Sequence, residues 1–131
     1  MGLDLRAGRE DGCLPTDPAP QWPYVWFGDF RRALAAHIGI DLSAMRGFGG
    51  EQEWSTVDSP LKHLLDHSDC DGELSPQQAA ELAPALRQAL AEMAQGEAVC
   101  RPQWEFDCQA GEEFVHLLEL CAGEGLPVLF C

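Results

Sequence analysis

The sequence predicts a mainly α-helical domain with a minor β component, and three observations lead to this class. Two helix start signals, Ser-Pro at residues 59–60 and again at residues 75–76, each precede an apolar run. Apolar residues then recur at helical spacing through residues 79–93 and 114–121. Extended segments near both ends, residues 2–7 and 126–130, can pair as a short two-stranded sheet. The length of 131 residues favours one domain spanning residues 1–131.

The first third of the chain contains few helix signals. Residues 8–23 are rich in Gly, Pro and Asp and predict a loop. The aromatic residues 24–27 indicate a short strand or a core anchor. Asp29 is a candidate N-cap for a first helix, and Gly39 is well placed to end it. The apolar face of that helix consists of Phe30, Leu34 and Ile38.

The middle of the chain has stronger helix signals. Ser59 and Pro60 open a short helix with an apolar face of leucines, and Ser75 with Gln78 forms a capping box for the next helix. Pro84 lies inside this second run, so the helix kinks or restarts there. The apolar positions of the second helix are Ala79, Leu82, Ala83, Leu86, Leu90 and Met93.

The last third of the chain predicts one further helix. Trp104 and Phe106 are candidate core anchors after a linker that follows Gly96. The final helix ends near Gly123 and has an apolar face of Phe114, Leu117, Leu118 and Cys121.

The charge is strongly negative and unevenly distributed. The net charge is −14, and residues 51–131 hold sixteen acids against three bases. Such a surface repels phosphate backbones, which argues against nucleic-acid binding and favours a cation or a basic protein partner. There is no apolar run of membrane-spanning length and no apolar signal-peptide core at the start, so we expect a cytoplasmic protein without membrane contact.

The cysteines predict free thiols rather than a disulfide framework. Six are present, but they are dispersed and no CxxC pair occurs. We expect most of them to pack as small apolar groups.

Residues 67–78 contain the most specific functional signal in the sequence, a pattern of candidate metal ligands. Asp69 and Asp71 fall at positions three and five of a calcium-binding loop, Gly72 at position six, Ser75 at nine and Gln78 at twelve. Alternating side chains in a tight loop direct hard oxygen ligands at one centre. This segment resembles the EF-hand family in degenerate form, over a helix-loop-helix unit of about residues 60–94. The candidate metal ligands are Asp66, His67, Asp69, Asp71, Glu73 and Gln78.

Two departures from the EF-hand pattern predict weak binding. His67 stands at position one in place of Asp, although Asp66 takes that role if the loop is one residue longer. Gln78 at position twelve lacks the bidentate carboxylate. We therefore expect a dissociation constant for calcium of roughly 0.1 to 1 mM. The alternative is a plain connection, because Asp-Gly is common turn chemistry and acids stabilise a helix N-terminus.

Two histidines offer a different metal. His63 and His67 lie four residues apart with Asp66 between them, which is similar to the HxxEH zinc peptidases. Asp69, Cys70 or His116 would have to complete such a site. A zinc-dependent hydrolase is therefore a second alternative.

The string from Leu64 to Gly72, with HSDCDG at its centre, also resembles a family of small uncharacterised bacterial and phage proteins. The opening Met-Gly-Leu-Asp is similar to that family as well. The resemblance implies no activity, but it makes the loop the plausible centre of the family's function.

Together the sequence predicts a non-catalytic acidic domain that binds a divalent cation, calcium foremost, through residues 67–78. The first alternative is a metal-free acidic protein that occupies a basic surface on a partner. No nucleophile elbow or Gly-rich phosphate loop occurs in the chain, so we expect no enzyme activity.

Overall fold

The computed structural model describes residues 2–9, 12–13, 21–46, 49–66, 72–96 and 103–130. Within these ranges the chain is mainly α with a minor β component, as the sequence predicts. The helices are α1 (Tyr24–His37), α2 (Lys62–Leu65), α3 (Pro76–Met93) and α4 (Trp104–Glu124). The strands are β1 (Gly2–Arg9), β2 (Gly12–Cys13), β3 (Gln21–Pro23), β4 (Glu73–Leu74) and β5 (Val128–Phe130). None of the described helices combines the length and apolarity that crossing a membrane requires.

The sheet is antiparallel and is built on β1. Its middle pairs with β5, so that Leu5 lies opposite Phe130 and Ala7 opposite Val128. The predicted pairing of the two terminal segments is therefore confirmed. The sheet is larger than the predicted two strands, because β2 and β3 pair with the two ends of β1 and β4 pairs with β5.

The predicted loop over residues 8–23 is wrong where the structure describes it. β1 continues through Arg9, and β3 occupies Gln21–Pro23 opposite the first residues of β1. Gly and Pro disfavour strands, but pairing along an existing strand satisfies the backbone polar groups and overrides that preference. Residues 10–11 and 14–20 lie outside the described ranges.

Helix α1 begins earlier than predicted. Pro23 precedes its first turn without a side-chain cap, and Asp29 lies inside the helix, where it pairs with Arg32 at 2.9 Å. The reason is burial: Phe27 and Phe30 both reach the core only if the aromatic segment is helical. The strand alternative for residues 24–27 is therefore wrong. The predicted stop is confirmed, since Gly39 has a φ of +81° just beyond the helix.

Helix α3 begins at its predicted start signal, but α2 begins at Lys62 with Leu61 at its N-cap, after the predicted cap Ser59 and first residue Pro60. The Ser59 hydroxyl accepts the Leu61 N–H at 3.3 Å, although α2 itself is a single turn. Ser75 and Gln78 form both bonds of the capping box, at 3.1 and 2.9 Å. Pro84 lies inside α3, which continues through it without restarting. All of the predicted α3 face is buried: Ala79, Leu82, Ala83, Leu86, Leu90 and Met93.

Helix α4 packs closely against α3. A Cβ at Gly111 would lie 2.9 Å from Leu90 Cδ1, so the absence of a side chain there permits the approach. The helix starts at Trp104, which is buried, and ends at Glu124, one residue beyond the predicted end near Gly123. Gly125 caps it in the left-handed conformation. Phe106 is not the predicted core anchor: it begins the exposed face of α4 and is 37 % exposed.

An aromatic cluster in the core contains a tryptophan that is hydrogen-bonded to a buried carboxylate. Trp22 stacks on Phe30 with ring centroids 5.0 Å apart, and Phe114 meets Trp22 edge-on at 6.4 Å. The indole N–H of Trp22 donates to Asp107 Oδ1 at 3.1 Å, and both side chains are buried. This bond ties β3 to the first turn of α4.

Replacing Trp22 with Phe tests the importance of that bond. The change removes a donor from a buried carboxylate, which costs on the order of 1 to 3 kcal/mol. We expect the free energy of unfolding in urea to fall by about 2 kcal/mol. Trp26→Phe is the matched control, because Trp26 is 40 % exposed. Equal losses in the two variants would contradict a special role for the buried bond.

Candidate functional site

A polar cavity lies where the chain enters and leaves the predicted metal loop. Its volume is about 320 Å³. The turn before α2, α2 itself, β4 and the start of α3 form its walls. The lining residues are Trp54, Ser55, Lys62, His63, Asp66, Glu73, Leu74 and Gln78.

Backbone hydrogen bonds hold the chain just before and just after residues 67–71. At the entry, the N–H of Asp66 donates to the carbonyl of Lys62 at 2.8 Å and closes the single turn of α2. At the exit, the Phe130 N–H donates to the carbonyl of Gly72 at 3.0 Å, and β4 pairs with β5 directly afterwards. Gly72 has a φ of +94°, a conformation that glycine adopts without strain. The loop thus leaves from one helix and returns onto the C-terminal strand.

Three of the six predicted ligands line this cavity together. They are Asp66, which precedes the loop, and Glu73 and Gln78, which belong to its second half. The other three, His67, Asp69 and Asp71, lie outside the described residues. In the described part of the chain, no group of three or more His, Cys, Asp or Glu side chains is arranged to hold a metal ion.

The electrostatics of the cavity are mixed. Asp66 and Glu73 are exposed acidic residues, while Lys62, which lines the same cavity, carries a positive charge that offsets part of theirs. The Gln78 side-chain oxygen accepts the Ser75 N–H at 2.9 Å, so the helix cap already uses it. The predicted capping role of Gln78 is confirmed.

His63 belongs to the cavity wall and is bonded to α3. Its Nε2 lies 2.8 Å from Glu81 Oε2. A carboxylate in that position orients an imidazole ring, as it does beside metal-bound histidines. His67, the second histidine of the zinc alternative, lies outside the described residues, so the spacing of the pair is not described.

A second histidine is hydrogen-bonded to a carboxylate of α3 in the same way, and neither contact was predicted from the sequence. His37 at the end of α1 bonds Glu92 of α3, with 2.8 Å between Nε2 and Oε1. This hydrogen bond lowers the pKa of the Glu92 carboxyl below its ordinary value. The partners are far apart in sequence, so no local spacing could have indicated the pairs. The His37–Glu92 pair joins α1 to α3, and the His63–Glu81 pair joins α2 to α3.

The two cysteines whose side chains the structure describes are free thiols. Burial raises the pKa of Cys121 to about 11, and the thiol packs inside the core. Burial, and after it the neighbouring Glu112 carboxylate, raises the pKa of Cys108. Both thiols are therefore protonated at neutral pH, the form that is a poor nucleophile and a poor metal ligand.

Comparison with known proteins adds no relative to this picture. No protein-family model, curated protein or solved structure matches the chain. The EF-hand-like and HSDCDG resemblances rest on the sequence alone.

The turn at the loop exit is tested by Gly72→Ala. An alanine at a φ of +94° is strained by about 1 to 2 kcal/mol, and the lower entropy of the unfolded chain returns only part of this. We expect a net loss near 1 kcal/mol in chemical denaturation. Gly96→Ala is the control, since its Cβ would make only ordinary contacts, at 3.8 Å or more. A neutral Gly72→Ala would show that the positive φ is not required.

The hydrogen bond between His37 of α1 and Glu92 of α3 predicts that the stability of the fold depends on pH. The folded protein lowers the pKa of Glu92 below 4.5, so the carboxylate adds stability above that pH. This contribution is lost as the pH falls through the lowered pKa. Glu92→Gln should therefore flatten the decline of melting temperature on the acid side of pH 4.5. His37→Leu removes the largest cause of the lowered Glu92 pKa and should flatten the same decline of melting temperature. Melting-temperature profiles of both variants that match the wild type would contradict a stabilising His37–Glu92 hydrogen bond.

Proposed function

We propose that this chain is a non-catalytic module that binds a divalent cation weakly, calcium foremost, through the 67–78 loop. The single observation that carries the proposal is the meeting of Asp66, Glu73 and Gln78 around one polar cavity. Asp66 precedes the loop, Glu73 and Gln78 belong to its second half, and the sequence places Asp69 and Asp71 between them. Oxygen donors in a short loop are the ligands that calcium selects.

The same residues argue for low affinity. Lys62 adds a positive charge to the cavity, and the Gln78 oxygen is shared with the helix cap. His67 and Gln78 also replace the two acidic ligands at positions one and twelve of the EF-hand pattern. We therefore keep the expected dissociation constant at roughly 0.1 to 1 mM, the range of extracellular calcium modules.

The chain on either side of residues 67–71 is hydrogen-bonded to the rest of the fold. The exit of the loop is anchored by the Phe130–Gly72 hydrogen bond and by the pairing of β4 with β5, and its entry by the last bond of α2. Anchored ends lower the entropy that ligand binding must overcome.

A second candidate function is the binding of a basic protein partner without metal. The observation that favours it is charge: three bases cannot neutralise the sixteen acids of residues 51–131. The described acids of α3 and α4 are also mostly exposed, with Asp107 as the buried exception. A partner of this kind would respond to ionic strength, whereas a metal module responds to calcium and chelator.

Calcium titration tests the leading proposal. A ligand bound only by the folded state raises the melting temperature by mass action, so millimolar calcium should stabilise the wild type. Asp66→Asn and Glu73→Gln should each lose most of that calcium-induced shift, because each removes a carboxylate from the cavity. The quantity to compare is the shift with calcium minus the shift with chelator.

Two further measurements sharpen this test. Glu124→Gln is the matched control, as Glu124 is exposed in the last turn of α4 and does not line the cavity. Asp71→Asn extends the test to loop position five. Identical calcium responses in the wild type, Asp66→Asn, Glu73→Gln and Asp71→Asn would end the metal proposal, as would calorimetry without heat at ten times the expected dissociation constant.

A further inference from the structure

Two exposed aromatic side chains form a corner on the surface between α1 and α4. The rings of Trp26 and Phe106 lie 5.1 Å apart between centroids and meet at 77°, edge to face. Trp26 is 40 % exposed and Phe106 is 37 % exposed. Val25, beside Trp26 in α1, is the most exposed large apolar residue of the described chain, at 75 %. We refer to Trp26 and Phe106 as the aromatic corner.

The neighbouring charges are predominantly acidic. Asp29 follows Trp26 by one helical turn and Glu113 follows Phe106 by two turns, so each shares a helix face with a ring of the corner. Glu105 is exposed in the first turn of α4. Asp29 also binds Arg32, which offsets its charge. Aromatic faces carry a negative quadrupole, so the corner and its acidic neighbours attract the same kind of ligand, a cation with flat or apolar surface.

The core of this chain already contains such a contact. The guanidinium carbon of Arg31 lies 5.0 Å from the centroid of the Phe27 ring. Arginine suits this geometry better than lysine because its guanidinium is planar, stacks on rings and is less strongly hydrated. Trp is the strongest aromatic partner for a cation.

We propose that the aromatic corner is a docking surface for an arginine-containing basic peptide segment of a partner protein, with one guanidinium on the exposed face of Trp26. This rests on the second candidate function, the binding of a basic partner, and gives it a location. Further bases of the segment lie near Glu105 and Glu113. A second copy of this chain is a poor occupant, because two chains of net charge −14 repel each other.

The experiment uses the full chain with an oligoarginine peptide, and an oligoglutamate peptide as the charge control. Binding is measured by calorimetry at low and at raised salt. Acrylamide quenching of tryptophan fluorescence is measured in parallel with Trp54 replaced by Phe, because Trp54 is also partly exposed. The signal that acrylamide quenches then comes mainly from Trp26, since Trp22 and Trp104 are 1 % and 8 % exposed. We expect oligoarginine to bind, salt to weaken the binding, and the peptide to reduce quenching.

The variants separate ring chemistry from charge. Trp26→Leu keeps an apolar side chain but removes the aromatic face, and should weaken binding roughly fivefold. Phe106→Leu should weaken it less, and Trp26→Phe should retain most of it. Leu120→Ala is the matched control, because Leu120 is as exposed as Phe106 on the same helix but lies outside the corner. Melting curves verify that each variant is folded, and Phe106→Leu serves if Trp26→Leu is not.

The outcomes distinguish the two levels of the proposal. Salt-dependent binding that Trp26→Leu and Phe106→Leu leave unchanged would overturn the docking surface but keep the acidic-partner function. No binding of oligoarginine at low salt would overturn both. Sedimentation that shows a wild-type dimer and a Trp26→Leu monomer would assign the corner to self-association and overturn the proposal as well.

Discussion

The buried hydrogen bond between Trp22 and Asp107 is the constraint on which the rest of the structure depends. A carboxylate removed from water is costly unless donors surround it, so its position leaves little freedom to the elements that carry it. The bond fixes the first turn of α4 against β3, and β3 is in turn paired with β1. Asp107 also lies where the N-terminal end of a helix favours negative charge. Its neighbour Phe106 consequently faces outward, toward Trp26.

Local signals in the sequence predicted the elements that local interactions determine. The capping box of Ser75 and Gln78 and the helical spacing that follows it specify α3 within a short stretch of chain. The start of α1 could not be predicted in this way. It depends on Phe27 and Phe30 reaching a core that distant strands and α4 complete. The strand status of residues 21–23 likewise exists only because β1 is available for pairing.

The candidate site divides along the same line. Asp66, Glu73 and Gln78 were predicted as neighbours because a short loop brings its own ends together. The sequence did not predict Lys62 in the same cavity. It also did not predict the hydrogen bonds of His37 and His63 to α3. Those contacts join separate helices, so they follow from packing and not from spacing along the chain. A negatively charged chain with scattered acids offers many possible partners for a histidine, and only the fold selects among them.

The pairing of β1 with β5 has a consequence for how the molecule is made. Residues 5–7 find their partners near the far end of the described chain, so this contact closes last during synthesis and carries the largest loop-closure entropy of the sheet. Until β5 emerges, residues 5–7 of β1 lack the partner strand that later covers that edge. The vulnerable species of this protein is therefore the nascent or refolding chain, in which aggregation through that edge competes with folding.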